Sequence, residues 1–284
     1  MYYLRYVILQ VTQEDIGSAW ISSLSEAGIQ VISDDDAFEA SLWITDDAQF
    51  AKECVNRGRP VLGVLTELHA DQGFDGVSYL VSDLPEVEPQ YLEKVYRRQA
   101  GIHWDVLETK RCLLRETTLR DADAFYEIYE DPSVTEHLED LPKDRDAFAA
   151  WLEDYTKSVY EFLGYGIWTV CLKREGLGER EDVTEDAGLG ERDNATVIGR
   201  AGLTVREGFD VPELGFVIGK PWQGQGIAYE ICSAILDYAR KQGIPEVIAF
   251  AESENEASLK LLQKLGFHIT GQWETNWQYS ISLT

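Results

Sequence analysis

The chain has 284 residues, 25 of them basic and 51 acidic, for a formal net charge of −26. That length suits two compact domains, and a hydrophobic share of 44% with 11% aromatics excludes general disorder. Acids outnumber bases in both parts, 19 to 8 in residues 1–110 and 32 to 17 in residues 111–284, so no basic face remains to neutralise phosphates and nucleic acid is disfavoured as a partner.

The acidic field suits a cationic small molecule or a basic protein segment. The longest apolar runs, residues 6–9 and 247–251, fall far short of the roughly 20 residues a spanning helix needs. The stretch after Arg5 lacks a secretory pattern. Cys54, Cys112, Cys171 and Cys232 lie far apart without a CxxC, and His69, His103, His137 and His268 are equally scattered. We therefore expect reduced thiols, a cytoplasmic setting and no metal site.

Residues 1–100 alternate strand and helix signals. Strands are expected at 3–11, 29–32, 41–45, 60–65 and 77–81, with helices at 15–27, 48–56 and 89–99. Short apolar strands between helices indicate an α/β domain, a doubly wound parallel sheet covered on both faces. The turn after the first strand has no GxGxxG, and no GxxxxGK[ST] occurs. Asp46 and Asp47 follow a strand's carboxyl end, and Asp46 with Gln49 reads as a capping box. This part resembles only a generic small Rossmann-like α/β domain, with the DxDxT of haloacid-dehalogenase-like hydrolases missing. We expect it to be non-catalytic.

Residues 101–111 read as a connection. A second domain, 112–284, holds strand-like stretches at 165–172 and 196–205 around an acidic, glycine-containing loop at 174–194 that holds GLGER twice. From Glu213 an apolar strand (214–218) feeds a glycine turn (223–228) that opens an amphipathic helix ending before Gly243. A strand, a glycine turn and a helix N-terminus together aim backbone N–H groups at one point. They make a cradle for a pyrophosphate, and glycines at 224 and 226 permit close backbone approach.

The pattern Gln223-x-x-Gly226-x-Ala228 resembles the acetyl-CoA pyrophosphate loop of the Gcn5-related N-acetyltransferases, the GNAT family. A strand at 247–251, then Asn255-x-x-Ser258 and Leu265-Gly266-Phe267, resembles the family's second CoA-side element. The resemblance covers about residues 111–284 and implies a mixed-sheet α+β domain that binds acetyl-CoA. By that resemblance the cofactor-binding residues are Gln223, Gly224, Gln225, Gly226, Ile227 and Ala228 at the phosphates. Phe216, Val217, Ile218 and Gly219 follow along the strand, with Asn255 and Ser258 at the pantetheine, and no metal takes part.

In such an enzyme the amine attacks the thioester directly, so a base must take its proton. Glu213, at the head of an E-x-x-F pattern, is the first candidate, Glu252 the second and His268 a third. The family's tyrosine acid would fall seven positions after Asn255, where Leu262 stands. Trp151, Tyr155, Tyr160, Phe162, Tyr165 and Trp168 cluster where the family builds its acceptor cleft, although most of them read as core, and Trp273 and Trp277 could rim the same cleft. The implied function is acetyl transfer to a primary amine, a protein N-terminus or a small cationic amine, and a homodimer is compatible with it. The alternative is a non-catalytic acyl-CoA-binding regulatory protein.

Overall fold

The computed structural model describes residues 2–12, 16–32, 39–66, 73–138, 142, 144–173 and 195–284, and only the backbone of 161–163. The 174–194 loop with its two GLGER runs, His69 and the Phe162 side chain lie outside the described residues. The chain divides into two compact units, Met1–Trp104 and Asp105–Thr284.

In the first unit, β1 (Tyr6–Gln10), β2 (Gln30–Ile32), β3 (Ser41–Thr45), β4 (Val61–Val64) and β5 (Leu80–Val81) form an all-parallel sheet in the order β2-β1-β3-β4-β5. Every residue of β3 is buried because both faces are covered. Leu42 and Ile44 pack with Trp20 and Leu24 of α1 (Ser18–Glu26) and Leu92 and Val95 of α3 (Pro89–Gln99). Trp43 turns the other way, onto Ala51 and Cys54 of α2 (Ala48–Asn56). The expected doubly wound sheet is what forms. Its last strand is shorter than the sequence suggests, with Val77 and Tyr79 buried ahead of two ladder residues.

One local assignment needs correcting. The cap of α2 is Asp47, which accepts from the amides of Gln49 and Phe50 at 2.8 and 3.1 Å. Asp46 points inward instead, 1% exposed, and accepts from the Thr12 amide at 2.9 Å and from the Thr12 hydroxyl. A carboxylate one residue earlier faces the sheet rather than the helix start.

The second unit holds an eight-stranded mixed sheet in the order β12-β13-β11-β10-β9-β8-β7-β6. In chain order its strands are β6 (Asp105–Glu108), β7 (Cys112–Arg115), β8 (Ile167–Leu172), β9 (Thr196–Thr204), β10 (Glu213–Ile218), β11 (Glu246–Glu252), β12 (His268–Trp273) and β13 (Asn276–Ser282). All neighbours are antiparallel except β10 and β11. Strand β6 lies within the stretch read as a connection, and it extends the sheet edge.

The helices of this unit are α4 (Ala122–Tyr129), the short α5 (Pro132–Thr135), α6 (Arg145–Leu163), α7 (Ile227–Lys241) and α8 (Glu256–Leu265). Ile231, Cys232, Ile235 and Ala239 of α7 pack with Leu214, Ile218, Val247, Ala249 and Ala251 of the sheet and Leu262 of α8. Phe125 of α4 and Phe148 and Leu152 of α6 form a separate buried cluster with Val197 beside it. The four cysteines are free and buried. Among the described residues, no helix is long and apolar enough to cross a membrane.

Candidate active site

Strand β10 is paired with β9 along its whole length, from Glu213↔Thr204 to Ile218↔Gly199. Its other edge pairs with β11 at one point, Glu213↔Ile248, where the Ile248 amide also donates to the Pro212 carbonyl at 2.9 Å. Beyond that point the two parallel strands part. The Gly219 amide donates to Ile198 O at 2.8 Å. Alternation along the ladder therefore turns the Gly215 and Val217 amides toward β9 and leaves those of Phe216 and Ile218 facing the gap. A backbone edge with unspent donors is a ready partner for an amide-bearing chain such as pantetheine.

The glycine turn follows directly. Gln223 Nε2 donates to Ile218 O at 2.8 Å, and Gln225 Nε2 donates to Pro221 O at 2.9 Å, so both side chains brace the loop. Gly224 and Gly226 have φ of +71° and +73°, in the left-handed region that a side chain disfavours. Gly226 caps α7, whose first N–H groups have no acceptor within the helix and carry its positive end. Such an arrangement of amides at a helix N-terminus suits an anion.

A residue the sequence reading missed, Arg111, holds that loop from the turn before β7. Its guanidinium donates to Gln225 O at 2.9 Å and to Glu230 Oε2 at 2.7 Å, and its amide donates to Glu230 Oε1 at 2.8 Å. Glu230 sits in the first turn of α7, where an uncompensated carboxylate would repel a phosphate. Partial burial works against its charge, but hydrogen bonds from Thr109 and Arg111 prevail and lower its pKa below the ordinary 4.5.

The base candidates separate. Leu214, Ile218, Val247, Ala249 and Ala251 face α7, so alternation puts Glu213, Val217, Phe250 and Glu252 on the opposite face. Glu213 lies at the closed end of the gap, in a two-point ion pair with Arg206 (Nε–Oε2 2.5 Å, a second contact at 3.3 Å). Arg206 in turn stacks over Phe250 at 4.6 Å. Glu252 ends β11, about 13 Å farther along at 3.3 Å per residue. There His137 Nδ1 lies 2.6 Å from its Oε2. His137 comes from the segment after α5 and carries no local motif.

The remaining expectations fall as follows. Asn255 caps α8, its Oδ1 accepting from the Ser258 amide at 3.1 Å. Leu262 is buried, so that position offers no acid. His268 is exposed on β12. The aromatics Trp151 and Tyr155 belong to α6 and are packing groups. With Phe125 they surround the buried Arg200 guanidinium at 5.2, 5.4 and 5.3 Å respectively. The Tyr160 hydroxyl donates to Ile167 O at 2.6 Å while the Ile167 amide donates to the Tyr155 hydroxyl at 2.7 Å, and this fixes α6 to β8. Trp168 is fully buried against Tyr238 of α7. Trp273, half exposed, stacks edge-on with Phe209 at 5.2 Å, and Phe209 with Phe250 at 5.4 Å. That aromatic row shares the face of Glu252.

Known proteins match the second unit. The model of the "Acetyltransferase (GNAT) domain" matches residues 111–268. Over 99 residues the chain is 35% identical to the [ribosomal protein uS5]-alanine N-acetyltransferase of Escherichia coli (strain K12), which covers 30% of this chain and 51% of that protein. It is 28% identical over 171 residues to the uncharacterized N-acetyltransferase YoaA of Bacillus subtilis (strain 168), covering 58% and 84%. A solved GNAT-family acetyltransferase from Bacillus anthracis aligns with a TM-score of 0.48 at 18% identity, covering 62% of this chain and 98% of that one. The chain spans about half the length of the first curated relatives it matches. Because the family model covers more than half of the 284 residues, including β10, the glycine loop and α7, the chain belongs to the GNAT acetyltransferase family.

Proposed function

We propose that the protein is an acetyl-CoA-dependent N-acetyltransferase that moves an acetyl group directly to a primary amine. The observation that carries this reading is the one-ended pairing of β10 with β11, which runs straight into a positive-φ glycine loop at the start of α7. Those groups fit the co-substrate: the loop and helix amides suit the phosphates, and the Phe216 and Ile218 amides suit the pantetheine or the thioester oxygen. Acetyl-CoA supplies the acyl group as a thioester. Gln223 and Arg111 hold the loop in shape, and the Asn255 cap sets the start of α8. The name of the Escherichia coli relative supports a protein N-terminus as acceptor. The acidic balance of this chain supports a cationic amine of either kind.

A thermal shift with acetyl-CoA, followed by free-thiol detection across peptides and small amines, tests both halves. A ligand at 100 times its Kd adds about 2.7 kcal/mol, so a folded protein with no shift at millimolar acetyl-CoA sinks the proposal. Two observations favour the second reading, a non-catalytic acyl-CoA binder: Glu213 is held by Arg206 and Leu262 is apolar. Binding without transfer to any amine of the panel would select it.

Glu213→Gln should keep at least about half of the parent turnover, because its carboxylate serves the Arg206 pair at the closed end of the gap. A loss beyond about 10²-fold, the low end for removing a base, would return the proton-accepting role to Glu213. Arg111→Met should weaken acetyl-CoA binding about tenfold by calorimetry at pH 7, since it leaves Glu230 uncompensated beside the loop. The same contact sets a pH limit. A carboxylate with a lowered folded-state pKa contributes in full above its ordinary value and loses that contribution as pH falls through the lowered one. The Glu230 contribution to the stability of the parent should therefore hold down to about pH 4.5 and be lost below it, and Glu230→Gln should remove that part of the acid limb in a thermal melt. Equal acid limbs in both proteins would refute the tether.

A further inference from the structure

The His137–Glu252 contact joins two segments 115 positions apart, at the open end of the β10–β11 gap and on the face opposite α7. The side chains are 23% and 41% exposed, so an incoming amine can reach them without unfolding anything. A carboxylate only accepts hydrogen bonds, so at 2.6 Å the imidazole must present Nδ1–H to Glu252. In the neutral ring the lone pair then lies on Nε2. One nitrogen is fixed by a carboxylate and the other is left basic.

We propose that His137 Nε2 is the proton acceptor of the transfer and that Glu252 is its positioning residue. This rests on the acetyltransferase reading and goes beyond it, because neither motif nor family match singles out His137. Nε2 takes one proton from the acceptor's ammonium. The freed nitrogen lone pair forms the N–C bond at the thioester carbonyl, and the C–S bond breaks with its electron pair leaving on sulfur. The second nitrogen proton goes to that sulfur, which leaves amide, thiol and imidazolium. Glu252 stabilises the imidazolium and holds the tautomer, the part a carboxylate plays behind a catalytic imidazole. The pairing also bears on the acceptor. An α-amino group, at about 7.7–8.0, gives up its proton more readily than a lysine amine at about 10.4.

The test uses the full chain, acetyl-CoA and the best amine of the panel. His137→Gln should lower kcat by about 10²–10⁴-fold while KM for acetyl-CoA and the acetyl-CoA thermal shift stay within about threefold. Added imidazole should restore part of the turnover of His137→Ala. Independently of activity, nitrogen NMR of the His137 ring should show the Nδ1–H tautomer in the parent and lose it in Glu252→Gln. More than a third of parent activity in folded His137→Gln overturns the proposal. So does an Nε2–H tautomer in the parent, or a loss in Glu252→Gln as deep as in His137→Gln with the tautomer unchanged, which would make Glu252 itself the base. A parent chain that gives no acetyl-CoA shift fails the acetyltransferase reading instead, whatever the ring shows.

Discussion

Gly226→Val should lower acetyl-CoA affinity at least about a hundredfold, a change of about 2.7 kcal/mol, and leave the second unit folded. Gly226 sits at φ +73° as the cap of α7, and a Cβ there would lie 3.9 Å from the Arg111 guanidinium. A non-glycine residue in the left-handed region costs roughly 1–2 kcal/mol, and a β-branched one more. The loop can escape that strain only by rotating the peptide planes of 225–227, whose amides form the proposed cradle. Rotation would also pull Gln225 O from Arg111. Calorimetry on a variant with parent-like circular dichroism measures the effect. Affinity within threefold of the parent would mean that the phosphates bind elsewhere.

How far such a site can be read from sequence depends on how local its chemistry is. Strand β10, the glycine loop and α7 occupy one continuous stretch, and each has a signature within a few residues: an apolar run, glycines that must take positive φ, and a helical apolar period. The same holds for the alternating first unit. Arg111 and Glu230 are 119 positions apart and His137 and Glu252 are 115 apart, so no spacing rule joins them. The sheet brings them together. Helix α6 was hidden for a different reason. The resemblance places its aromatics from Trp151 to Tyr160 near a cleft without assigning them to an element, yet Tyr155 and Tyr160 are spent on fixing the helix to β8. Strand β6 is short and lies on an edge, with two of its four residues exposed, so its pattern carries little signal. The E-x-x-F pattern places Glu213 on a strand without saying which end of the gap it occupies or that Arg206 pairs with it.

Asp121→Ala should destabilise the second unit by about 3–5 kcal/mol, the cost of stranding a buried charge. Asp121 is 2% exposed and accepts from both guanidinium nitrogens of Arg115, at 2.8 and 2.6 Å, from the Thr118 amide at 2.9 Å and from the Thr169 hydroxyl at 3.1 Å. Burial works against the Arg115 charge, but the hydrogen bonds and charge of Asp121 outweigh it and raise its pKa. Removing the carboxylate leaves that guanidinium dry and unpaired. At roughly 2–4 °C per kcal/mol for a unit of this size, Tm should fall by about 6–20 °C. Asp121→Asn, which keeps an acceptor, should cost less. Exchanging both partners for apolar residues of similar volume should recover most of the loss, because the penalty lies in the unpaired charge. The site should register the damage as well. Asp121 closes the turn that starts α4, and Ile128 of that helix lies 3.4 Å from where a Cβ on Gly219 would stand, at the end of β10. A loss below about 1 kcal/mol in Asp121→Ala would show that water replaces the carboxylate, and that the start of α4 is held by packing alone.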